Sequence, residues 1–184
     1  FAFQDQRVID LVSEITKMPD LYADPDLYAG GLSMMQKGNF LNPHLDNSHN
    51  YDRTKYRAHN LLYYCSKDWD VNNGGNFEVW HNGPTGNQET LFSKFNRLVV
   101  MKTDKQSWHS VSQVTVDASR NCVSNYYFCS YSPDDTDFKH VTTFRGRPGQ
   151  LLRDITLRVD SFFRNSIRKI YNKQHTDYTK TKDE

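Results

Sequence analysis

The stretch NPHLDNSH (residues 42–49), read together with SWHSVSQVTVDASRNCVS (107–124), decides the reading of this chain. The first places His44 and Asp46 one residue apart. The second offers His109, with Arg120 eleven residues further on. Two imidazoles and one carboxylate around a metal, with the remaining positions open, form the ligand set that suits Fe(II) and O2 chemistry.

A His-x-Asp triplet alone carries little information. With 7 His and 22 acidic residues in 184, about one such triplet arises by chance, and the chain has two. The second, His175-Thr176-Asp177, lies in a Lys/Thr-rich terminal segment with no histidine after it. His44 instead sits among alternating apolar residues, and a second His-bearing strand follows 65 residues later with an arginine behind it.

Length and composition limit the alternatives. A chain of 184 residues reads as one domain able to bury about 70% of its unfolded surface. The net charge of +1 provides no field for nucleic acid, so a nucleic-acid module is excluded as the leading reading. No apolar run approaches the roughly 20 residues that span a bilayer, and no signal-peptide core is present. Three cysteines, Cys65, Cys122 and Cys129, without paired spacing speak against a disulfide scaffold and for a reducing cytoplasm. The chain opens at Phe1 without Met, which reads as trimming or a fragment. Eleven Tyr and 11 Phe suit a β-rich core with polar-tipped pocket walls.

Periodicity places the elements. Residues 4–18 set Val8, Leu11, Val12 and Ile15 on one helical face, within a lead-in that runs to residue 31. From 32 to 145 the texture is short strands, expected at 32–36, 40–46, 56–66, 75–81, 88–93, 96–102, 108–116, 120–130 and 139–145. The turn signals Asn73-Gly74-Gly75 and Asn82-Gly83-Pro84 separate some of them. Residues 150–172 return to helix, with Leu152, Ile155, Val159, Phe162 and Ile170 as an apolar stripe expected to cover the barrel, and 173–184 read as a solvated tail. Strand alternation puts Arg120, Cys122, Ser124 and Tyr126 on one face. A buried arginine there needs an anionic partner.

Three segments, KGNFLNPHLDN (37–47), LLYYCSKDWD with its following GG (61–75) and WHSVSQV…RNCVSNYYF (108–128), together resemble the Fe(II)/2-oxoglutarate dioxygenase superfamily in its prolyl 4-hydroxylase-like branch. The YY-x-x-KDWD segment resembles the hypoxia-sensing prolyl hydroxylases. The likeness runs over about residues 32–130. It implies a mainly β, double-stranded β-helix (jelly-roll) core with flanking α-helices at both ends. It implies that His44, Asp46 and His109 hold Fe(II), that Arg120 pairs with the distal carboxylate of 2-oxoglutarate, and that Tyr64 is a second donor to it, with Cys122 beside them. Two positions depart from the family pattern. Met35 stands where a tyrosine often lines the co-substrate pocket, and Cys122 where Ser or Thr is common. Asp46 occupies the position that related halogenases leave open for chloride, which favours hydroxylation.

Asn47, Asn60 and Tyr126 are the expected substrate-side residues, whereas His49, His59, His81 and His140 read as ordinary surface or strand residues. The expected substrate is a small molecule such as an amino acid, chosen over a prolyl or other residue in a peptide because no peptide-docking module is recognisable. A non-catalytic jelly-roll ligand-binding protein is the reading from another class.

Overall fold

Alternation along one long strand organises the molecule. The structure is a computed structural model that describes residues 2–164 except 29, 135 and 138. Strand β9 (Arg120–Cys129) pairs antiparallel with β4 (Tyr56–Tyr64) over most of its length. Its other edge takes β1 (Tyr22–Ala23) and β2 (Gly31–Met35), and β7 (Arg97–Lys102) closes the far side of β4. A second antiparallel sheet runs in the order β10 (Thr143–Phe144), β3 (Leu41–Leu45), β8 (His109–Val111), β5 (Phe77–Val79), β6 (Glu89–Leu91). The expected mainly β, jelly-roll architecture with helices before and after it is what the chain adopts.

The two faces of the first sheet have different cover. Between the sheets, Tyr64, Phe77, Met101 and Cys122 form one apolar cluster. On the outside, Leu61, Tyr127 and Cys129 pack with Val12 of helix α1 (Gln6–Thr16) and with Leu21. Asp5 caps α1 by accepting from the Arg7 N–H. The buried face of α1 differs from the expected one. Val12 is buried with Ile9 beside it, whereas Leu11 and Ile15 are exposed, so the helix is turned by about one residue position relative to its most apolar stripe.

Each expected strand has a counterpart, most of them shorter, and the two-residue β1 is additional to them. Gly74 has φ 74°, and a Cβ there would lie 1.8 Å from the Gln113 carbonyl oxygen. The turn between Asn73 and Gly75 therefore requires glycine for space as well as for conformation.

The C-terminal helix corrects the sequence reading. Residues 151–164 are helical, but Leu152, Ile155, Val159 and Phe162 do not cover the barrel: Leu152 is 82% exposed and Phe162 69%. Polar contacts seat the helix instead. Asp154 receives Arg145 at 2.7 Å and the Gly146 N–H at 2.8 Å, and the Arg153 guanidinium lies 5.0 Å from the Phe40 ring centroid. Ile170 and the 173–184 tail lie outside the described residues.

Arg147, just before that helix, clasps the second sheet. Its Nη2 donates to Glu78 Oε2 at 2.7 Å, to the Val111 carbonyl at 2.8 Å and to the Leu41 carbonyl at 3.2 Å. Glu78 also accepts from Ser110, whose hydroxyl receives Trp80 Nε1. Removing one member of a buried pair leaves an uncompensated charge, which costs about 3 kcal/mol. Arg147→Ala is expected to lower Tm by about 6–12 °C in thermal unfolding. Adding Glu78→Gln should recover part of the loss, since no bare carboxylate then remains buried.

His59 carries a separate pH signature. It lies buried next to Lys102 on the outer side of the sheet, and burial first, then the lysine charge, pushes its pKa down to about 4. A folded value below the unfolded ~6.5 means that the unfolded chain takes up the proton first. The contribution to stability is therefore full above about pH 6.5 and is lost as pH falls towards 4, by roughly 2–3 kcal/mol in all. In urea unfolding across this window, His59→Gln should flatten the pH slope; an unchanged slope would place the acid sensitivity elsewhere.

Candidate active site

Strand register brings the candidate metal ligands together. His44 and His109 are direct partners across the β3–β8 ladder, and their ring centroids lie 4.0 Å apart. Asp46 follows the end of β3, two residues after His44 and therefore on the same side of the chain. Its Oδ1 lies 3.6 Å from His44 Nε2 and its Oδ2 3.8 Å from His109 Nε2. All three residues are buried, and one ligand atom from each falls within 4.8 Å of the others.

The imidazoles are already oriented as ligands. His44 Nδ1 meets the Asn42 carbonyl at 2.9 Å, and His109 Nδ1 meets the Ser107 carbonyl at 2.9 Å. A carbonyl only accepts, so each ring carries its proton on Nδ1 and turns an Nε2 lone pair toward Asp46. Burial, then the neighbouring His109, pushes the His44 pKa down to about 4, which keeps that ring neutral. Phe144 of β10 stacks on His44 at 4.9 Å, and Phe77 lies 5.5 Å from His109, so neither ring can swing away freely. Burial works against the charge on Asp46, but a proton on His109 or His44, the Arg57 guanidinium and the Asn60 amide favour it and hold the carboxyl below its ordinary range. The donor set thus fits Fe(II): two imidazole Nε2 atoms and one carboxylate oxygen converge within 4.8 Å of one another.

Next to this triad, a cavity of about 260 Å3 brings together His44, His109, Asn60, Tyr64, Arg120, Cys122 and Tyr126. Arg120 is buried, and among the described residues it has no carboxylate partner. Its Nη2 contacts the Met35 thioether, its Nε has no acceptor, and its guanidinium lies 5.5 Å from the Tyr64 ring centroid. Met35 faces Arg120 because the two are register partners in the β2–β9 ladder. Burial raises the Tyr64 phenol to about 12 and the Cys122 thiol to about 11, so both stay protonated at neutral pH. An unpaired buried cation beside a protonated phenol is a receptor for a carboxylate.

The expected substrate-side residues divide. Asn60 and Tyr126 line the cavity, and Asn60 Nδ2 also donates to Asp46 Oδ2 at 3.3 Å. Burial, then the Asp46 charge, raises the Tyr126 phenol and keeps it protonated. Asn47 does not line this cavity; its amide donates to the His49 carbonyl at 2.8 Å. His49 pairs with Ser48, and His81 with Glu89.

Arg57 takes a place beside Asp46 that sequence reasoning does not give it. Its guanidinium is buried 3.6 Å from the Tyr126 ring centroid, with Nη1 3.9 Å from Asp46 Oδ2. Plain alternation puts Arg57 with His59 and Leu61 on the outer face. An irregularity in the β4–β9 register between Arg57 and His59 absorbs Ala58 as an extra residue and returns Arg57 to the inner row with Asn60 and Tyr64.

The model of the 2OG-Fe(II) oxygenase superfamily matches residues 30–128, just over half of the chain. The chain belongs to this superfamily. Fe(II) and 2-oxoglutarate are the cofactor and co-substrate that membership implies, and the His44–Asp46–His109 triad is present to receive the metal. Among solved structures, a prolyl 4-hydroxylase from Phytophthora capsici is 17% identical with a TM-score of 0.53; the match covers 76% of this chain and 46% of that one. A Pseudomonas putida prolyl-4-hydroxylase is 15% identical with a TM-score of 0.47, over 71% and 64% of the two chains. A Trichoplax adhaerens prolyl hydroxylase, bound to a hypoxia inducible factor peptide fragment, is 19% identical with a TM-score of 0.44, over 69% and 60%. This oxygenase chain spans less than two thirds of each. No curated protein matches it. Among the described residues, no helix is long and apolar enough to cross a membrane.

A bidentate guanidinium–carboxylate contact in such a cavity contributes about 1.5–3 kcal/mol, or roughly 10- to 150-fold in affinity. Arg120→Ala should therefore raise the 2-oxoglutarate concentration for half-maximal succinate release by that factor with iron binding intact. Arg120→Lys should restore only part, because a point charge does not reproduce the fork. An unchanged 2-oxoglutarate dependence would assign the carboxylate to another residue.

Proposed function

We propose that this oxygenase hydroxylates a residue within a peptide, of the prolyl type, with release of succinate and CO2. The observation that carries the reading is the size and content of the cavity. At about 260 Å3 it is smaller than most ligand pockets, and Arg120, Tyr64 and Cys122 in its lining would already be engaged by a co-substrate. The primary substrate is left the part beside Asn60 and Tyr126, where one residue of an extended chain would fit. The free small molecule expected from the sequence would need room in the same cavity. The Phytophthora capsici structure of similar fold is a prolyl 4-hydroxylase, which supports the peptide in preference.

Bound together, Fe(II) and 2-oxoglutarate supply an oxidant that places one oxygen atom of O2 on the 2-oxo acid as it decarboxylates and the other on a substrate C–H. The residues of this chain prepare that event. His44, Asp46 and His109 would hold the metal, and Arg120 with Tyr64 would hold the far carboxylate. Asn60 and Arg57 hold Asp46 against rotation, so its carboxylate stays available as the third ligand the metal would need.

The test supplies Fe(II), 2-oxoglutarate and O2 with proline-containing peptides and, separately, free amino acids. Mass spectrometry then follows substrate-dependent succinate and the gain of one oxygen. Peptide hydroxylation is expected, and Ala at His44, Asp46 or His109 should abolish it. Oxygen gain confined to free amino acids would refute the peptide reading, and a chlorinated or desaturated main product would refute hydroxylation.

A further inference from the structure

The inner row of β9 continues past Tyr126 to Phe128, one step of about 7 Å along the strand. Phe128 is in the wall of a second cleft, of about 330 Å3, formed by residues 22–28 with β1 and by the 50–55 loop. The cleft adjoins the metal site. The Phe128 ring centroid is 5.7 Å from the Arg57 guanidinium, which itself approaches Asp46, and Asn50 at its edge is four residues after Asp46, a span of at most about 14 Å.

Its chemistry is specific. Tyr22, Tyr28, Tyr51 and Phe128 supply aromatic surface, and Asp24, Asp26 and Asp52 supply carboxylates against one cation in the lining, Lys55, with Arg57 near enough to favour the charge on Asp24. Lys55 Nζ sits 3.8 Å from the Tyr22 ring centroid, so this wall already holds one ammonium group. Tyr28 and Tyr51 meet edge to face at 5.7 Å. The decisive group is Asp24. It is 3% exposed, its Oδ1 accepts the Asp26 N–H at 3.1 Å, and its Oδ2 has no hydrogen-bond partner. A buried carboxylate oxygen without a donor is costly unless a donor arrives.

We propose that this cleft receives the cationic side chain of a lysine or arginine in the substrate, a few residues from the one hydroxylated at the iron. The ammonium or guanidinium group reaches Asp24 Oδ2, and its aliphatic stem lies along the tyrosine rings. This rests on the peptidyl reading above for the nature of the ligand, but the cleft's preference for a cation is measurable without turnover.

The experiment has two arms. In the first, the iron-loaded protein under anaerobic conditions is titrated with proline peptides carrying one lysine two to five residues from the proline, and with the same peptides carrying norleucine. Amide NMR shifts at residues 22–28 and 50–55 are followed. Lysine peptides should bind about tenfold more tightly, a difference that Asp24→Asn reduces to about threefold or less. Asp26→Lys, at an exposed position, should do the same and serves if Asp24→Asn does not fold. In the second arm, kcat/KM for peptide hydroxylation should follow the same order. Equal binding of lysine and norleucine peptides, with turnover intact, would overturn the cleft proposal and leave the peptide reading standing. Lysine-dependent shifts in this cleft without oxidation of any peptide would do the reverse. A lysine amide that binds as tightly as the whole peptide would overturn the assignment to a peptide side chain.

Discussion

The metal centre depends on one register, the pairing of His44 with His109 across β3 and β8. Side chains of directly opposed strand residues lie close enough to share a ligand, and a slip of one residue would send one imidazole to the other face. This ladder has an inherent weakness, because Pro43 cannot donate to it and the pairing is irregular between Leu41 and His44. Support comes from outside the ladder. The Arg145 N–H takes the Pro43 carbonyl, and Arg147 grips the carbonyls of Leu41 and Val111, which are themselves register partners. The short segment after β10 therefore stabilises the site from behind without touching it.

Two buried arginines stand on the inner row, with different partners. Arg57 has a carboxylate near it, so its charge is partly met and it steadies Asp46. Arg120 has a thioether, a phenol and a thiol, none of which carries negative charge. The imbalance leaves an uncompensated positive charge in the cavity, where an incoming carboxylate would find a partner.

Much of this was legible from the sequence. The spacing of His44, Asp46 and His109 and the parity of Arg120, Cys122 and Tyr126 depend only on strand geometry, and the structure places these side chains as alternation requires. The Met35 departure also had a local meaning, since cross-strand pairing sets its thioether against Arg120. What alternation could not show was an interruption of itself. Plain alternation puts Arg57 on the wrong face, because one extra residue leaves no mark in an apolar pattern. The stacking of Phe144 on His44 depends on a two-residue strand too short to declare a period. The stripe of residues 151–164 was misread for another reason: an apolar row shows what a helix can bury, whereas the contacts of Asp154 and Arg153 determine which side faces the body.

The irregularity at Ala58 ties two distant parts of the molecule to a single count of residues. On one side of it Tyr56 packs with the N-terminal helix cluster, while Arg57 turns inward to the metal carboxylate; beyond it Asn60, Leu62 and Tyr64 continue the inner row. Loss of one residue here would leave every side-chain type in place and exchange their addresses, driving a guanidinium toward Val12 and Leu21 and leaving Asp46 without its nearest cation. Substitutions in β4 alter chemistry one position at a time, but a change in its length would rewrite both faces at once.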